Sequence, residues 1–181
     1  MNLPTRIGCF KGPWAFMSNF WPGTVKLWVT ATGMIFSQDP QPGVWNPTES
    51  YSCVECAYQA GKYLAPKIRE RFQFSGLSGS QAKALSEKLK SKIRADWKEV
   101  NIELMRGLLK QKFTPSILRR KLIATFQAEL IEGNWWSDEF WGVCHGCTKD
   151  GEHEPRGLNH LGKLLMEIRD GYLSDNKSDK R

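Results

Sequence analysis

No stretch of this 181-residue chain approaches the roughly 18 continuous apolar residues that a membrane-spanning helix needs. A helical membrane protein is therefore excluded at the level of sequence. The N-terminus, Met-Asn-Leu-Pro-Thr-Arg-Ile-Gly-Cys-Phe, lacks the basic and then long apolar pattern of a secretory leader. The expectation is an intracellular, cytoplasmic protein without a membrane partner. No internal repeat is visible, so a solenoid or propeller is not indicated. Cysteine is present but in the wrong numbers for a disulfide framework. There are five, an odd count, in a chain without an export signal, which argues against disulfides. Four form two Cys-x-x-Cys pairs, Cys53/Cys56 and Cys144/Cys147, with His145 and His160 as further zinc ligands to consider. The pairs lie 87 residues apart, far beyond the spacing of compact zinc ribbons. No metal site is expected, and the cysteines read as small, partly buried thiols.

The chain does hold enough apolar material for a core, at 40% with eight tryptophans. Its charge is uneven. Net charge is +7, and between Lys83 and Lys121 twelve Lys/Arg face four acids. Such a segment attracts phosphate. It also fits the solvated outer faces of amphipathic helices.

Residues 8–22 are aromatic with Gly and Pro punctuation and read as a packed loop. Alternation over 25–29, a turn at Thr32-Gly33 and the apolar 34–36 predict a hairpin. Residues 37–50 read as loop. Helices are predicted over 54–64, 67–72, 81–93 (with Ser80 as cap), 97–113 (with Asp96 as cap), 115–125 and 160–172, with a short strand at 128–132. Residues 133–158 read as loop. The expected class is α+β: a single compact, helix-rich domain over 1–173 with a small antiparallel sheet, followed by a polar tail, 174–181.

Three constellations can carry chemistry. In the first, Glu55, Gln59 and Lys62 are spaced i, i+4, i+7, so one helix face would carry an acid, an amide and an amine. Glu55 also has a plainer reading: with Ser52 three residues before it, it completes a capping box. In the second, Asp138-Glu139-Phe140-Trp141-Gly142 sets carboxylates beside a ring that can stack on a base and a glycine that admits a ligand; Trp141 can equally be a packing residue. Asp96-Trp97 carries the same two readings. In the third, around Gly157 to Met166, Asn159 either caps a helix or touches a ligand.

Taken in order, Phe16-x-x-Asn19-Phe20, Val54-Glu55-x-x-Tyr58-Gln59-Ala60-x-Lys62, Asp96-Trp97, Met105 and Gly107 leading to Lys112-Phe113, Leu122-x-x-Thr125, Ile131-Glu132, Asp138-x-Phe140-Trp141-Gly142 and Gly157-Leu158-Asn159-x-Leu161-Gly162 resemble the NADAR (YbiA-like) family of N-glycosidases. The resemblance covers about residues 8–172. It implies a helix-rich α+β fold and hydrolysis of N-glycosidic bonds to ribose. It implies one of two substrates, ADP-ribosylated guanine in DNA or a phosphorylated ribosylamino-pyrimidine of riboflavin synthesis. The first is preferred because of the basic segment. A non-catalytic ADP-ribose or nucleic-acid binding module is the alternative of another class. By resemblance, Glu55, Lys62 and Asp138 are the catalytic candidates, and Gln59, Trp97, Trp141, Gly142 and Asn159 the substrate-binding ones. No cofactor is implied. The implied partners are ADP-ribosylated nucleic acid or a phosphorylated riboside, with a cognate ADP-ribosyltransferase toxin as a protein partner. Two departures stand out: Cys56 occupies a position where the family usually has His, and residues 143–156 are longer and richer in Cys and His.

Overall fold

The structure is a computed structural model that describes residues 4–30, 33–38, 48–73, 76–145 and 154–178, with side chains through residue 175. Its strands are β1 (Arg6–Ile7), β2 (Pro22–Val29), β3 (Ile35–Phe36), β4 (Thr48–Cys53), β5 (Glu129–Leu130), β6 (Gly133–Asn134) and β7 (Val143–Cys144). Its helices are α1 (Val54–Ala60), α2 (Pro66–Arg69), α3 (Gly79–Lys88), α4 (Trp97–Phe113), α5 (Ser116–Ile123) and α6 (His160–Ser178). The class is α+β and helix-rich, as expected. The chain falls into two compact units, Asn19–Lys112 and Met1–Ser18 with Phe113–Arg181.

In the unit Asn19–Lys112, β2 is the central strand of an antiparallel sheet of order β3-β2-β4. The hairpin expected from alternation is present, with Trp28 opposite Phe36 and Val29 opposite Ile35. Val25 and Leu27 point inward and are buried, while Lys26 is exposed, which is the period of two that a half-buried strand requires. Strand β4 was not expected. The loop expected over 37–50 overlaps only its first three residues, where hydroxyl residues and Glu49 dilute the pattern. Tyr51 and Cys53 are nevertheless buried on its inner face, and Val25 pairs with Tyr51 and Leu27 with Glu49.

β4 passes directly into α1. Cys53, still extended, occupies the N-cap without a side-chain cap bond, and every residue of α1 is buried. The helix is shorter than predicted, ending at Ala60. Gly61 follows, where a Cβ would collide with Leu104. α1 packs on α3 and β4. α3 carries a real capping box: Ser78 accepts from the Gln81 N–H while Gln81 accepts from the Ser78 N–H. The cap is therefore Ser78 and not Ser80. α4 matches its predicted span, and Leu104, Met105, Leu108 and Leu109 on its apolar face are buried. Asp96 does not spend its carboxylate on that helix, since both oxygens take hydrogen bonds from Arg94 at 2.6 and 2.7 Å.

One buried charge organises the sheet's far end. Arg69 is 1% exposed, donates from Nε and Nη2 to the two oxygens of Glu49 at 2.8 Å each, and donates from Nη1 to the carbonyls of Tyr63 and Leu64. A guanidinium satisfied this fully can sit in a core; a partly satisfied one cannot.

In the other unit, α5 packs on α6 around Leu122, Leu161, Leu164, Leu165 and Ile168. β5 pairs in parallel with β1, and β6 in parallel with β7. These parallel pairs were not foreseen, because two-residue strands are too short to show a period. α6 runs to Ser178, past its predicted end at 172. Residues 173–178 contain neither Gly nor Pro, so no backbone breaker stops the helix there. Cys144 is disulfide-bonded, which corrects the expectation of free thiols at that buried position; Cys9, Cys53 and Cys56 are free. Cys147 lies outside the described residues.

Candidate active site

Four of the sequence-predicted residues fall in the unit Asn19–Lys112. Glu55 and Gln59 lie one turn apart on α1, 7% and 4% exposed, and the Gln59 amide donates to Glu55 Oε1 at 2.8 Å. The capping-box reading of Glu55 is not what the chain adopts. Ser52 belongs to β4 and donates its hydroxyl to the Leu77 carbonyl at 3.0 Å, and the Glu55 N–H is satisfied by the Asn19 carbonyl at 3.0 Å. Glu55 thus keeps a carboxylate held by an amide in a buried setting. Gln59 Oε1 is also buried and has no hydrogen-bond partner among the described residues. A buried orphan acceptor is costly unless a donor reaches it.

Lys62 is not on the helix. It lies two residues past the end of α1, in the turn begun by Gly61, so the three-residue face of the sequence reading is really two helical residues and one turn residue. The turn gives its amine an aromatic frame. Lys62 Nζ stands 5.7 Å from the centre of the Tyr58 ring and 5.8 Å from that of Trp97. The two rings are 5.0 Å apart and tilted by 58°. Burial pushes the Lys62 ammonium below its ordinary value; the Glu55 carboxylate opposes that shift, the Lys83 ammonium adds to it, and Glu87 opposes it. A half-buried lysine of this kind is more readily neutral than a surface one, and only the neutral amine is a nucleophile. Tyr58 is the residue that sequence reasoning did not assign to the site. Its place one residue before Gln59 in a fully buried helix was the available signal.

The remaining four fall in the other unit. The loop 134–141 is tied by one fully buried side chain: Asn134 Oδ1 accepts from the N–H groups of Trp136 and Asp138 at 3.2 and 3.1 Å, and its Nδ2 donates to the Asp138 carbonyl at 2.8 Å. Asp138 in turn accepts from the Trp141 N–H through Oδ1 at 2.9 Å, and its Oδ2 has no partner among the described residues. Trp141 packs edge-on against Phe140 at 5.0 Å and is 6.2 Å from the His160 ring. Burial, helped by Lys163, lowers the His160 pKa.

Gly142 and Asn159 have structural work visible in the same place. A Cβ at Gly142 would collide with the Glu132 carbonyl oxygen. Asn159, at φ 53°, bridges the chain after β5: Oδ1 accepts from the Glu132 N–H at 3.1 Å and Nδ2 donates to the Leu130 carbonyl at 2.9 Å. Its side chain therefore staples backbone and does not cap α6.

Compared with known proteins, the chain matches the NADAR domain over residues 10–172, nearly its whole length. The chain belongs to the NADAR domain family. Among curated proteins this NADAR chain is 35% identical over 128 residues to the Escherichia coli N-glycosidase YbiA, covering 70% of this chain and 69% of that one. It is 32% identical over 138 residues to the Nostoc punctiforme N-glycosidase Npun_R5314, covering 75% and 83%. It is 35% identical over 134 residues to the Arabidopsis thaliana chloroplastic riboflavin biosynthesis protein PYRR, spanning 74% of this chain but only 19% of that longer protein. A second riboflavin biosynthesis protein, VVA0006 of Vibrio vulnificus, is 30% identical, and this chain spans 35% of its length. The solution NMR structure of E. coli YbiA superposes with a TM-score of 0.68 at 26% identity, covering 97% of this chain and 89% of that one.

Proposed function

We propose that this NADAR chain is an N-glycosidase that cleaves the bond between ribose C1 and an exocyclic base nitrogen. The observation that carries the reading is Lys62: an amine with a lowered proton affinity, facing the Tyr58 and Trp97 rings, and under the influence of a buried carboxylate. In such a substrate the exocyclic nitrogen expels the ring oxygen and opens the sugar to an imine at C1. Neutral Lys62 Nζ adds to C1. The base amine leaves, taking a proton for which Glu55 is the donor, and C1 remains bonded to Lys62 as a second imine. Water adds to that imine, releases the sugar and returns Lys62 to the free amine. Gln59 holds Glu55, and its orphan acceptor suits a donor on the substrate.

For the leaving base, the finer reading is guanine carrying ADP-ribose. Supporting it, Lys83, Lys88, Lys92 and Lys98 are exposed with no ion-pair partner among the described residues, in the same unit as Lys62. A second reading, the phosphorylated ribosylamino-pyrimidine of riboflavin synthesis, is supported by the names of two relatives. Offering ADP-ribosylated guanine DNA, ADP-ribosylated thymine DNA and the ribosylamino-pyrimidine phosphate side by side separates the readings. Release of free base amine from none of the three sinks the glycosidase. Borohydride added during turnover should fix sugar to Lys62; no adduct, together with full activity in Lys62→Arg, removes the imine route and leaves Glu55 to activate water.

A further inference from the structure

Two free thiols stand at the junction where β4 becomes α1. Cys53 is the last residue of the strand and Cys56 lies in the first turn of the helix. Their sulfurs are 3.4 Å apart. Nothing in the proposed glycosidase chemistry uses either. A disulfide needs about 2.05 Å between sulfurs, so the pair must close by little more than an ångström, within reach of side-chain rotation. Cys56 Sγ is also held by the Ser52 hydroxyl at 3.5 Å and faces the Leu77 carbonyl at 3.4 Å. Both cysteines are buried, but Ser52 is exposed, so the sulfurs lie one hydroxyl below the surface.

We propose that Cys53 and Cys56 are a modification site, a dithiol that a small hydroperoxide oxidises to an intramolecular disulfide. Cys53 is the attacking sulfur, because its hydrogen bond with Cys56 holds its pKa down to about 7, whereas Cys56 itself is pushed up. The Cys53 thiolate attacks one peroxide oxygen, the O–O bond breaks, and water leaves after taking a proton; Cys53 becomes a sulfenic acid. Cys56, losing its proton, attacks that sulfur and displaces hydroxide, which leaves as a second water. Two thiols have given two electrons to one peroxide. The new bond would tie the end of β4 to the turn of α1 that carries Glu55.

The test is independent of any glycosidase activity. The full chain, first treated with a mild reductant, is exposed to hydrogen peroxide, digested without reduction and mapped by mass spectrometry. The expected result is loss of two hydrogens within the peptide holding both Cys53 and Cys56, reversed by dithiothreitol. Cys53→Ser and Cys56→Ser should each abolish that loss, and Cys9→Ser should leave it intact. An unchanged 53–56 peptide in the wild-type chain overturns the proposal, as does oxidation confined to Cys9. The wild-type map decides the matter even where a cysteine variant folds poorly.

Discussion

Lys62 shows how much of a residue's chemistry lies in its surroundings. The sequence offers an ordinary lysine; burial and the Lys83 ammonium weaken its hold on a proton, while Glu55 and Glu87 oppose that. If its neutral amine is the nucleophile, kcat/KM should climb with pH through the lowered pKa, on a limb that lies below the ordinary lysine value of 10.5. Lys62→Met should lower kcat/KM by about 10²–10⁴-fold. The stability sign follows from the same shift. Because the folded chain binds this proton less tightly than the unfolded chain, stability rises with pH between the lowered value and 10.5. Lys62→Met should flatten that rise in a denaturation series, and a variant that keeps the rise would show that Lys62 is not its source. Glu55 was legible in the sequence only as one of two alternatives. The cap reading is set aside by Asn19 and Gln59, distant or a full turn away, which take up the backbone N–H and the carboxylate respectively.

At the level of elements, the chain after β5 is held to the start of α6 by Asn159. Its two amide bonds, to Leu130 and Glu132, are possible because Gly162 leaves room. A Cβ at Gly162 would collide with the Leu130 carbonyl oxygen and come within 2.6 Å of both Asn159 amide atoms. Asn159→Ala strands a buried carbonyl and a backbone N–H, and should cost about 2–6 kcal/mol at roughly 1–3 per unsatisfied group. Gly162→Ala should act through the same staple. Chemical denaturation of both, and of the double variant, checks this: near-additive losses would mean that the two residues do not act on one structure. The sequence pointed to Asn159 and Gly162 as a motif, yet left Asn159 as either a cap or a ligand contact, because an Asn before an apolar helix is the ordinary signature of a cap. Its positive φ and its partners in another element have no sequence signal.

For the whole molecule, charge is the property most directly readable. Of the basic residues between Lys83 and Lys121, Lys90, Arg94 and Arg106 are paired with Glu87, Asp96 and Glu103, and Arg119 and Lys121 lie over the rings of Tyr172 and Phe16. The bare excess in the sequence therefore overstates what is free to meet a polyanion. With DNA as substrate, KM should rise steeply with salt, by roughly tenfold or more between 50 and 200 mM for a few phosphate contacts. With a small phosphorylated riboside, the rise should be far smaller. Steady-state kinetics over that salt range measure it, and a flat KM on ADP-ribosylated DNA would remove phosphate tracking from the account.

The sequence by itself determined the class, the hairpin of β2 and β3, the long α4 and the family, because these rest on periodicities and on ordered motifs that short-range chemistry writes into the chain. It did not determine β4, the parallel pairs of β1 with β5 and β6 with β7, or the end of α1 at Ala60. Those depend on partners far along the chain: Val25 and Leu27 pair with β4, and Leu104 lies where a Cβ on Gly61 would be. Tertiary structure likewise decided where the polar groups find their partners. It bound Asn159 to backbone and Arg69 to Glu49 and backbone, set Glu55 and Gln59 in a hydrogen bond on one buried helix, and placed Lys62 in the turn after it. The physical reason is that burial forces each polar group to find a partner, and only the folded chain determines which groups find one within it.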